Sequence, residues 1–275
     1  MQVFRSLFIL LFACAATAPA TLAGQTSRST SSNQDWCADA RDDRDRDREV
    51  FCEVRELTMA KPGVLDVTDN PNGSISITAT NRKDIAIRAR VVATDRTESD
   101  AAALGRDVKV TAENGRVRAD GPSTSGNRRS WWVSYRIEVP ASQDLELGTS
   151  NGSVSISGVN GRIRAESSNG SLSLVDVGGD VIATTSNGSV HAALGGSTWS
   201  GAGLELRTSN GSVRVDVPEK YNARLIAGTS NGHLSVDMPI TVQGRISRQL
   251  ETTLGSGGPT IRVSSSNGSV RIGRR

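Results

Sequence analysis

The sequence predicts an all-β fold. We expect a β-solenoid, or β-helix-like repeat, with about 18 residues and two strands per coil, preceded by a less regular β-rich cap containing one short helix. Three observations predict this fold. The phrase Ser-Asn-Gly-Ser returns every 18 residues, with its Asn at 151, 169 and 187. Apolar and polar residues alternate between the turns, as is typical of strands. The half-way turns differ from the main phrase, so like turns recur only at every second turn.

The alternation keeps one register through the whole stretch. After each turn the apolar residues fall at the same two offsets: Val154 and Ile156, Ile163 and Ala165, Leu172 and Leu174, Val181 and Ala183, Val190 and Ala192. A shift of one residue would move these side chains to the solvent face, so the constancy indicates a buried face. A meander of hairpins would also place a turn every nine residues, but only a coil requires every second turn to match.

The spacing of the Asn-Gly pairs loosens after Asn187. Asn210, Asn231 and Asn267 follow at intervals of 23, 21 and 36 residues. The first two intervals indicate coils with small loop insertions. The last interval is interpreted either as two coils, one of which lacks the phrase, or as one coil with a long excursion.

The Asn-Gly pairs are interpreted as structural. Stacked Asn side chains would bond the coils above and below in a ladder, and Gly allows a sharp turn. The same phrase matches the Asn-x-Ser glycosylation pattern, but the fold alone accounts for it. The predicted ladder residues are Asn151, Gly152, Asn169, Gly170, Asn187, Gly188, Asn210, Gly211, Asn231, Gly232, Asn267 and Gly268.

Residues 1–23 predict a secretory signal peptide. Arg5 supplies the positive start, residues 7–13 form an apolar run, and small residues follow at a cleavage site. An alternative is lipoprotein processing at Cys14. The apolar run is too short to span a membrane, and no later segment predicts a transmembrane helix in the mature chain. We therefore expect an exported protein, either periplasmic or at the cell surface.

Residues 24–51 predict a flexible segment of mixed charge. Ser and Thr are frequent at its start, and Arg alternates with Asp over residues 41–48. In an exported chain Cys37 and Cys52 would form a disulfide that closes a loop of about 15 residues. A metal site is the alternative, but His191 and His233 lie far along the chain.

The sequence predicts a β-rich N-terminal cap over residues 52–140 and the repeat solenoid over residues 141–275. The one plausible helix begins after Thr97 as its N-cap and ends near Arg106. A long strand follows, in which Trp131 and every second residue to Val139 share one face. Arg271, Arg274 and Arg275 are expected to blunt the edge of the last strand.

These features together resemble a known family. The segments Cys-Glu-Val-Arg-Glu from residue 52, Trp-Trp-Val-Ser-Tyr from residue 131 and Val-Gln-Gly-Arg-Ile from residue 242 accompany the Ser-Asn-Gly-Ser ladder. This combination resembles the bacterial exported "putative adhesin" family, a domain of unknown function, over roughly residues 52–273. The resemblance implies a β-solenoid-like fold outside the cytoplasm, and it carries no catalytic residues to transfer.

Catalysis has little support in the sequence. Asp216 and Asp237 share one offset after their Asn, so the pair could stack one coil apart as an acid and a base or hold a cation. His191 and His233 lie at different offsets, and no Gly-x-Ser-x-Gly elbow stands between a strand and a helix. The net charge of +3 comes without a basic stripe, which argues against nucleic acid. No cofactor or metal is predicted.

Ligand binding is predicted at exposed aromatic residues. Trp132 has the opposite parity to Trp131 and should point outward beside Arg128 and Arg129, and Trp199 lies in a Gly/Ser loop. Exposed aromatics with polar neighbours can bind sugars or proteins, although either Trp could instead pack beneath a loop.

We therefore expect a non-catalytic, adhesin-like interaction module of the cell envelope that binds a surface glycan or protein. The alternative is an envelope scaffold that pairs with itself or another protein through its ends or edges. A polysaccharide-acting β-helical enzyme is the third hypothesis.

Overall fold

The computed structural model describes residues 36–38, 48–124, 129–239 and 248–275. The predicted signal peptide, Cys14, residues 24–35, Arg128 and the segment 242–246 lie outside these residues. Within the described ranges, no helix is long and apolar enough to cross a membrane.

The described chain is mostly β, as the alternating pattern predicts, and its strands are numbered here in chain order. The first seven are β1 (Glu49–Ala60), β2 (Val64–Asn70), β3 (Ile75–Thr80), β4 (Asp84–Asp95), β5 (Lys109–Glu113), β6 (Arg116–Asp120) and β7 (Ser130–Pro140). The next six are β8 (Asp144–Thr149), β9 (Val154–Ser157), β10 (Asn160–Ser167), β11 (Leu172–Val175), β12 (Gly178–Thr185) and β13 (Val190–Ala193). The last seven are β14 (Gly203–Thr208), β15 (Val213–Val217), β16 (Ala223–Thr229), β17 (Leu234–Val236), β18 (Gln249–Leu254), β19 (Thr260–Ser265) and β20 (Val270–Arg274).

These strands form two ten-stranded sheets. The first sheet has the order β1-β4-β7-β3-β9-β11-β13-β15-β20-β17, and the second has the order β18-β16-β19-β14-β12-β10-β8-β2-β6-β5. From β8 to β17, consecutive strands alternate between the second sheet and the first, and neighbours within each sheet pair in parallel. Leu172 of β11 pairs with Val154 of β9 and with Val190 of β13.

The core lies between the two sheets. The alternate apolar residues of each strand are buried, and the polar residues between them are largely half-buried or exposed. Leu, Ile, Val and Ala fill this space, with Tyr135, Trp199 and Tyr221 among the few buried aromatics. Parallel sheets require such coverage of their apolar faces, and here each sheet covers the other.

The N-terminal part is built differently. β1, β4 and β7 are long antiparallel neighbours in the first sheet. The predicted helix is present as α1 (Glu98–Asp107), and the Thr97 hydroxyl caps it by accepting from the Asp100 N–H at 3.1 Å. Arg55, which is buried, donates from Nη2 to the Gly105 carbonyl at 2.9 Å and from Nη1 to the Val108 carbonyl. A cation at these carbonyls complements the helix dipole.

The predicted disulfide is confirmed. Cys37 and Cys52 are bonded, with their Cα atoms 5.7 Å apart. The bond attaches residues 36–38, which are helical, to β1.

β19 and β20, the last two strands in the chain, do not lie at the edges of the two sheets. β19 lies between β14 and β16, and β20 lies between β15 and β17. The prediction that Arg271, Arg274 and Arg275 blunt a final edge is therefore wrong, because β20 has a neighbour on each side. Neither interpretation of the 36-residue interval anticipates this order, in which the later segment is placed between two earlier ones.

Candidate functional site

The Asn side chains of the stacked turns form one row of hydrogen bonds. The Nδ2 group of Asn169 donates to Oδ1 of Asn151 at 2.8 Å, and Asn187 donates to Asn169 at 3.0 Å. This Asn row has the spatial order Asn72, Asn151, Asn169, Asn187, Asn210, Asn267, Asn231. Each Asn donates from its Nδ2 group to Oδ1 of the Asn that precedes it in this order.

A second row of hydrogen bonds lies behind the Asn row. In every turn of the row except that of Asn72, the hydroxyl two residues before the Asn donates to the carbonyl of the Gly in the neighbouring turn. Ser167 donates to Gly152 at 3.0 Å, and Thr185 donates to Gly170 at 2.8 Å. This hydroxyl row consists of Thr149, Ser167, Thr185, Thr208, Ser265 and Thr229. These buried hydroxyls satisfy Gly carbonyls that the turns leave inside the protein.

The Gly of each turn is required by a close approach. At Gly170 an added Cβ would overlap the carbonyl oxygen of Gly152, and Gly188 stands in the same relation to Gly170. These glycines have no positive φ, so the sequence-based explanation through a sharp turn is wrong for them. Stacking of neighbouring turns, rather than turn curvature, excludes a side chain.

A groove opens at the N-terminal end of the Asn row. It has a volume of about 320 Å³ and is called here the Trp132 groove; its walls include Asn72, Gly121, Ser123, Thr124, Trp131 and Trp132. Trp132 is half-buried and lies on the face of β7 opposite to the core residues Val133 and Tyr135. The placement agrees with the parity argument. Trp131 closes one wall, because its indole N–H donates to the Pro122 carbonyl at 2.9 Å.

The groove presents an aromatic ring beside a polarised amide. Asn72 is exposed, and its Oδ1 accepts from Asn151, which leaves its Nδ2 as the last donor group of the row. Hydrogen bonds in a chain polarise one another, so donors at the end of a chain are strengthened. An aromatic ring with adjacent amide and hydroxyl groups suits sugars and polar protein surfaces.

Arg129 does not join this groove. Its Nη2 donates to the Ser123 carbonyl at 3.1 Å, and the side chain lines a separate cleft of about 430 Å³ beside α1, together with Asp95, Asp100 and Asp107. The prediction that Arg129 forms one binding site with Trp132 is therefore wrong. Arg129 lies directly before β7 and lines the cleft beside α1 instead.

The prediction that Trp199 binds a ligand is wrong, and the alternative that it packs beneath a loop is confirmed. The side chain is only 3% exposed, and its indole N–H donates to the Gly179 carbonyl at 2.9 Å. It packs beneath its loop against the second sheet and offers no surface to a ligand.

The acidic pair is separated by the inserted strand. Asp216 of β15 pairs with Gly273 of β20, and β17, which precedes Asp237, lies on the far side of β20. Each carboxylate has its own Arg: Asp216 accepts from Arg214 Nε at 2.9 Å, and Asp237 accepts from Arg271 Nε at 2.6 Å. The hypothesis that the two carboxylates stack on neighbouring strands is wrong.

Sequence reasoning missed the contact between His191 and Asp216. His191 Nε2 lies 2.8 Å from Asp216 Oδ2, on the outer face of the first sheet. Burial raises the pKa of the Asp216 carboxyl, but hydrogen bonds from Arg214 and His191 and the Arg214 charge outweigh it, so the pKa lies below its usual value. The two residues differ by two in their offset from Asn, so only the sheet register brings them together.

Metal ligation has no candidate in the part of the chain that the structure describes. There, no group of three or more His, Cys, Asp or Glu side chains is arranged to hold a metal ion.

Comparisons with known proteins give a family and distant structural likenesses. The family model described as Toastrack DUF4097 matches residues 67–273. None of the curated proteins matches the chain. A structure described as a putative cell adhesion protein from Clostridium sporogenes is 11% identical, with a TM-score of 0.36, covering 82% of this chain and 100% of its own. One described as a putative adhesin from Bacteroides fragilis is 14% identical, with a TM-score of 0.32, covering 82% and 97%. These likenesses are too distant to carry a functional argument.

Proposed function

The chain belongs to the Toastrack DUF4097 family, and from that premise we propose that it is an exported, non-catalytic, adhesin-like interaction module of the cell envelope. It binds a surface glycan or protein in the Trp132 groove. The observation that carries this proposal is the half-buried indole of Trp132 next to the exposed amide of Asn72 at the end of the Asn row.

The scaffold of this module is a β-solenoid with two strands per coil. The support is the parallel register: Leu172 pairs with Val154 and Val190, and Val181 pairs with Ile163, each 18 residues away. A rigid array of this kind positions loops and grooves at its ends, where ligands are commonly bound.

Export is supported by two features. The disulfide between Cys37 and Cys52 is typical of proteins in oxidising compartments. The N-terminal sequence has the charge, apolar run and small residues of a secretory signal.

The groove is tested by binding to glycan and protein arrays. The chain without residues 1–23, with its disulfide formed, is applied to arrays of glycans and matrix proteins and is sedimented with isolated cell envelope. We expect saturable binding to one class, weakened about 5- to 150-fold by Trp132→Ala, because an aromatic platform contributes about 1–3 kcal/mol.

The control is Arg164→Ala, which changes an exposed side chain on the outer face of the second sheet. It should bind as the unaltered protein does. Absence of binding to every probe by a protein with a native β spectrum would overturn the proposal, as would equal loss in both variants.

The scaffold hypothesis remains the second candidate because four strands lie at sheet edges. β1, β17, β18 and β5 each pair with only one strand within the described chain, and such edges can pair with another protein. Partner binding that survives Trp132→Ala would favour pairing through edges. Turnover of an envelope polysaccharide that is abolished by Asp216→Asn would instead favour an enzyme.

A further inference from the structure

The spatial order of the strands differs from their order in the chain at one place. β14 and β15 are followed in the chain by β16 and β17, yet these two strand pairs do not touch edge to edge. The slot between them is filled by β19 and β20, called here the C-terminal strand pair. The last strands of the chain therefore enter between two strand pairs that precede them in sequence.

The slot is lined by complementary sheet edges on both sides. Leu204 of β14 and Leu225 of β16 both pair with Ile261 of β19. In the first sheet, Val213 of β15 and Leu234 of β17 both pair with Val270 of β20. Without the C-terminal strand pair, four strand edges and the apolar core behind them would be open to pairing.

The turn between β19 and β20 forms hydrogen bonds with the turns on both sides of the slot. Asn267 donates to Asn210 at 2.9 Å and accepts from Asn231 at 3.0 Å. Ser265 donates to the Gly211 carbonyl, and Thr229 donates to the Gly268 carbonyl. The contacts that hold the inserted pair are thus the same contacts that hold the other stacked turns.

Arg275, which follows β20, bonds the inserted pair to strands and turns earlier in the chain. β20 ends at Arg274, and Arg275 donates from its backbone N–H to Val217 at 3.0 Å and from Nη1 to the Leu194 carbonyl at 2.8 Å. Arg275 Nη2 also donates to Asp176 at 3.0 Å.

We propose that the slot also accepts the C-terminal strand pair of a second copy of this chain, giving a strand-exchanged dimer. A segment that fills the slot needs two apolar strands joined by a Ser-Asn-Gly-Ser turn, in register with β14 and β16. A second copy of the chain contains such a segment in its own β19 and β20. Exchange adds no new interface, because each copy regains every contact described above. The inference is independent of the Trp132 groove, although an exchanged dimer would present two such grooves.

Cross-linking between two copies tests the exchange. Two differently tagged full chains are co-expressed, one carrying Arg207→Cys and the other Ser264→Cys, and are treated with a short bis-maleimide. Arg207 of β14 and Ser264 of β19 are paired residues, so a product with both tags forms when β19 of one copy lies against β14 of the other. We expect this product at several times the yield of the control.

The control pair is Glu166→Cys with Thr184→Cys. These residues are also partners on adjacent parallel strands, β10 and β12, with the same combination of one exposed and one half-buried side chain. Both belong to strands outside the proposed exchange, and any background from other cysteines is the same. Equal yields from the two pairs would overturn the inference.

The unaltered chain gives a second measurement that does not depend on cysteine variants. The protein is unfolded, refolded at rising concentration, and its mass is measured by light scattering. Exchange predicts a dimer fraction that grows with the concentration during refolding and persists on dilution. A monomer at every concentration would overturn the inference.

Discussion

Asp216 shows how one carboxylate is held between neighbouring strands. Its side chain is 12% exposed, and it accepts hydrogen bonds from Arg214 on its own strand and lies 2.8 Å from His191 on β13. A nearly buried carboxylate without such partners would be costly. The Arg214 charge and the hydrogen bonds from both partners instead stabilise its ionised form, so that the residue adds to the stability of the first sheet near neutral pH.

Acid should remove this contribution. Because the pKa of Asp216 is lower in the folded protein than in the unfolded chain, its stabilisation is complete above the unfolded pKa of about 3.9 and is lost as pH falls through the folded pKa. We expect Asp216→Asn to lower the free energy of unfolding by about 1 kcal/mol at pH 7, with a smaller difference from the unaltered protein at pH 3. Urea unfolding at both pH values measures this.

Asp180→Asn is the matched control. Asp180 is exposed on β12, and no ion pair to it is found within the described residues. The substitution should change the free energy of unfolding by less than about 0.5 kcal/mol at either pH. A pH-independent loss in Asp216→Asn would contradict the assignment.

At the scale of elements, the stacked turn is the unit that joins the two sheets. Each turn contributes an Asn amide, a buried hydroxyl and a Gly that lets the next turn approach. The three positions act together, because the hydroxyl reaches the Gly carbonyl only when the turns are close. A change at the Gly should therefore disturb both rows of hydrogen bonds.

Gly170→Ala tests this packing. The added methyl group would overlap the Gly152 backbone, which cannot move without breaking the Asn row. We expect the free energy of unfolding to fall by about 3 kcal/mol, measured by chemical denaturation. Gly63→Ala is the control, since nothing lies within 4 Å of a Cβ at that exposed position. Similar losses in both variants would show that stacking does not set the identity of Gly170.

At the scale of the whole molecule, the N-terminal segment is fastened to the outer face of the first sheet. The Trp36 ring lies 4.0 Å from the Arg136 guanidinium and 5.1 Å from that of Arg90. Arg90 also donates to the Trp36 carbonyl at 2.8 Å. Together with the disulfide, these cation–π contacts cover the apolar Val54 of the edge strand β1.

Loss of the disulfide should destabilise the whole protein. The bond joins cysteines 15 residues apart, so the chain-entropy relation gives a stabilisation of about 3 kcal/mol. We expect Cys37→Ala/Cys52→Ala to lower the free energy of unfolding by this amount, as measured by urea denaturation. Adding reductant to the unaltered protein should reproduce the effect, and adding it to the double variant should change nothing. An unchanged stability in the double variant would contradict the expectation.

Much of the local structure could be predicted from the sequence. Alternation identifies the strands and their inner faces, as at Leu172 and Leu174, because the side-chain period of a strand is two. Thr97 marks the start of α1 because its hydroxyl can cap the helix. The disulfide follows because Cys37 and Cys52 remain as an even pair in a chain expected to be exported.

The exposure of single aromatics could be predicted only in part. The parity of Trp132 within a long strand places it opposite to Val133, and this is a local property. Trp199 lies in a loop, where no period applies, and its burial depends on the Gly179 carbonyl that its indole reaches. The contact between His191 and Asp216 depends likewise on the pairing of β13 with β15.

The sequence by itself determined the strands and their buried faces, since these depend on neighbours along the chain. Only the tertiary structure decided which turn stacks on which. The turns of Asn210, Asn231 and Asn267 offer the same amide, hydroxyl and glycine, so Asn231 fits Asn210 as well locally as Asn267 does. The choice of Asn267 as the neighbour of both follows the pairing of β19 and β20 with strands far away in the sequence, which a local pattern does not record.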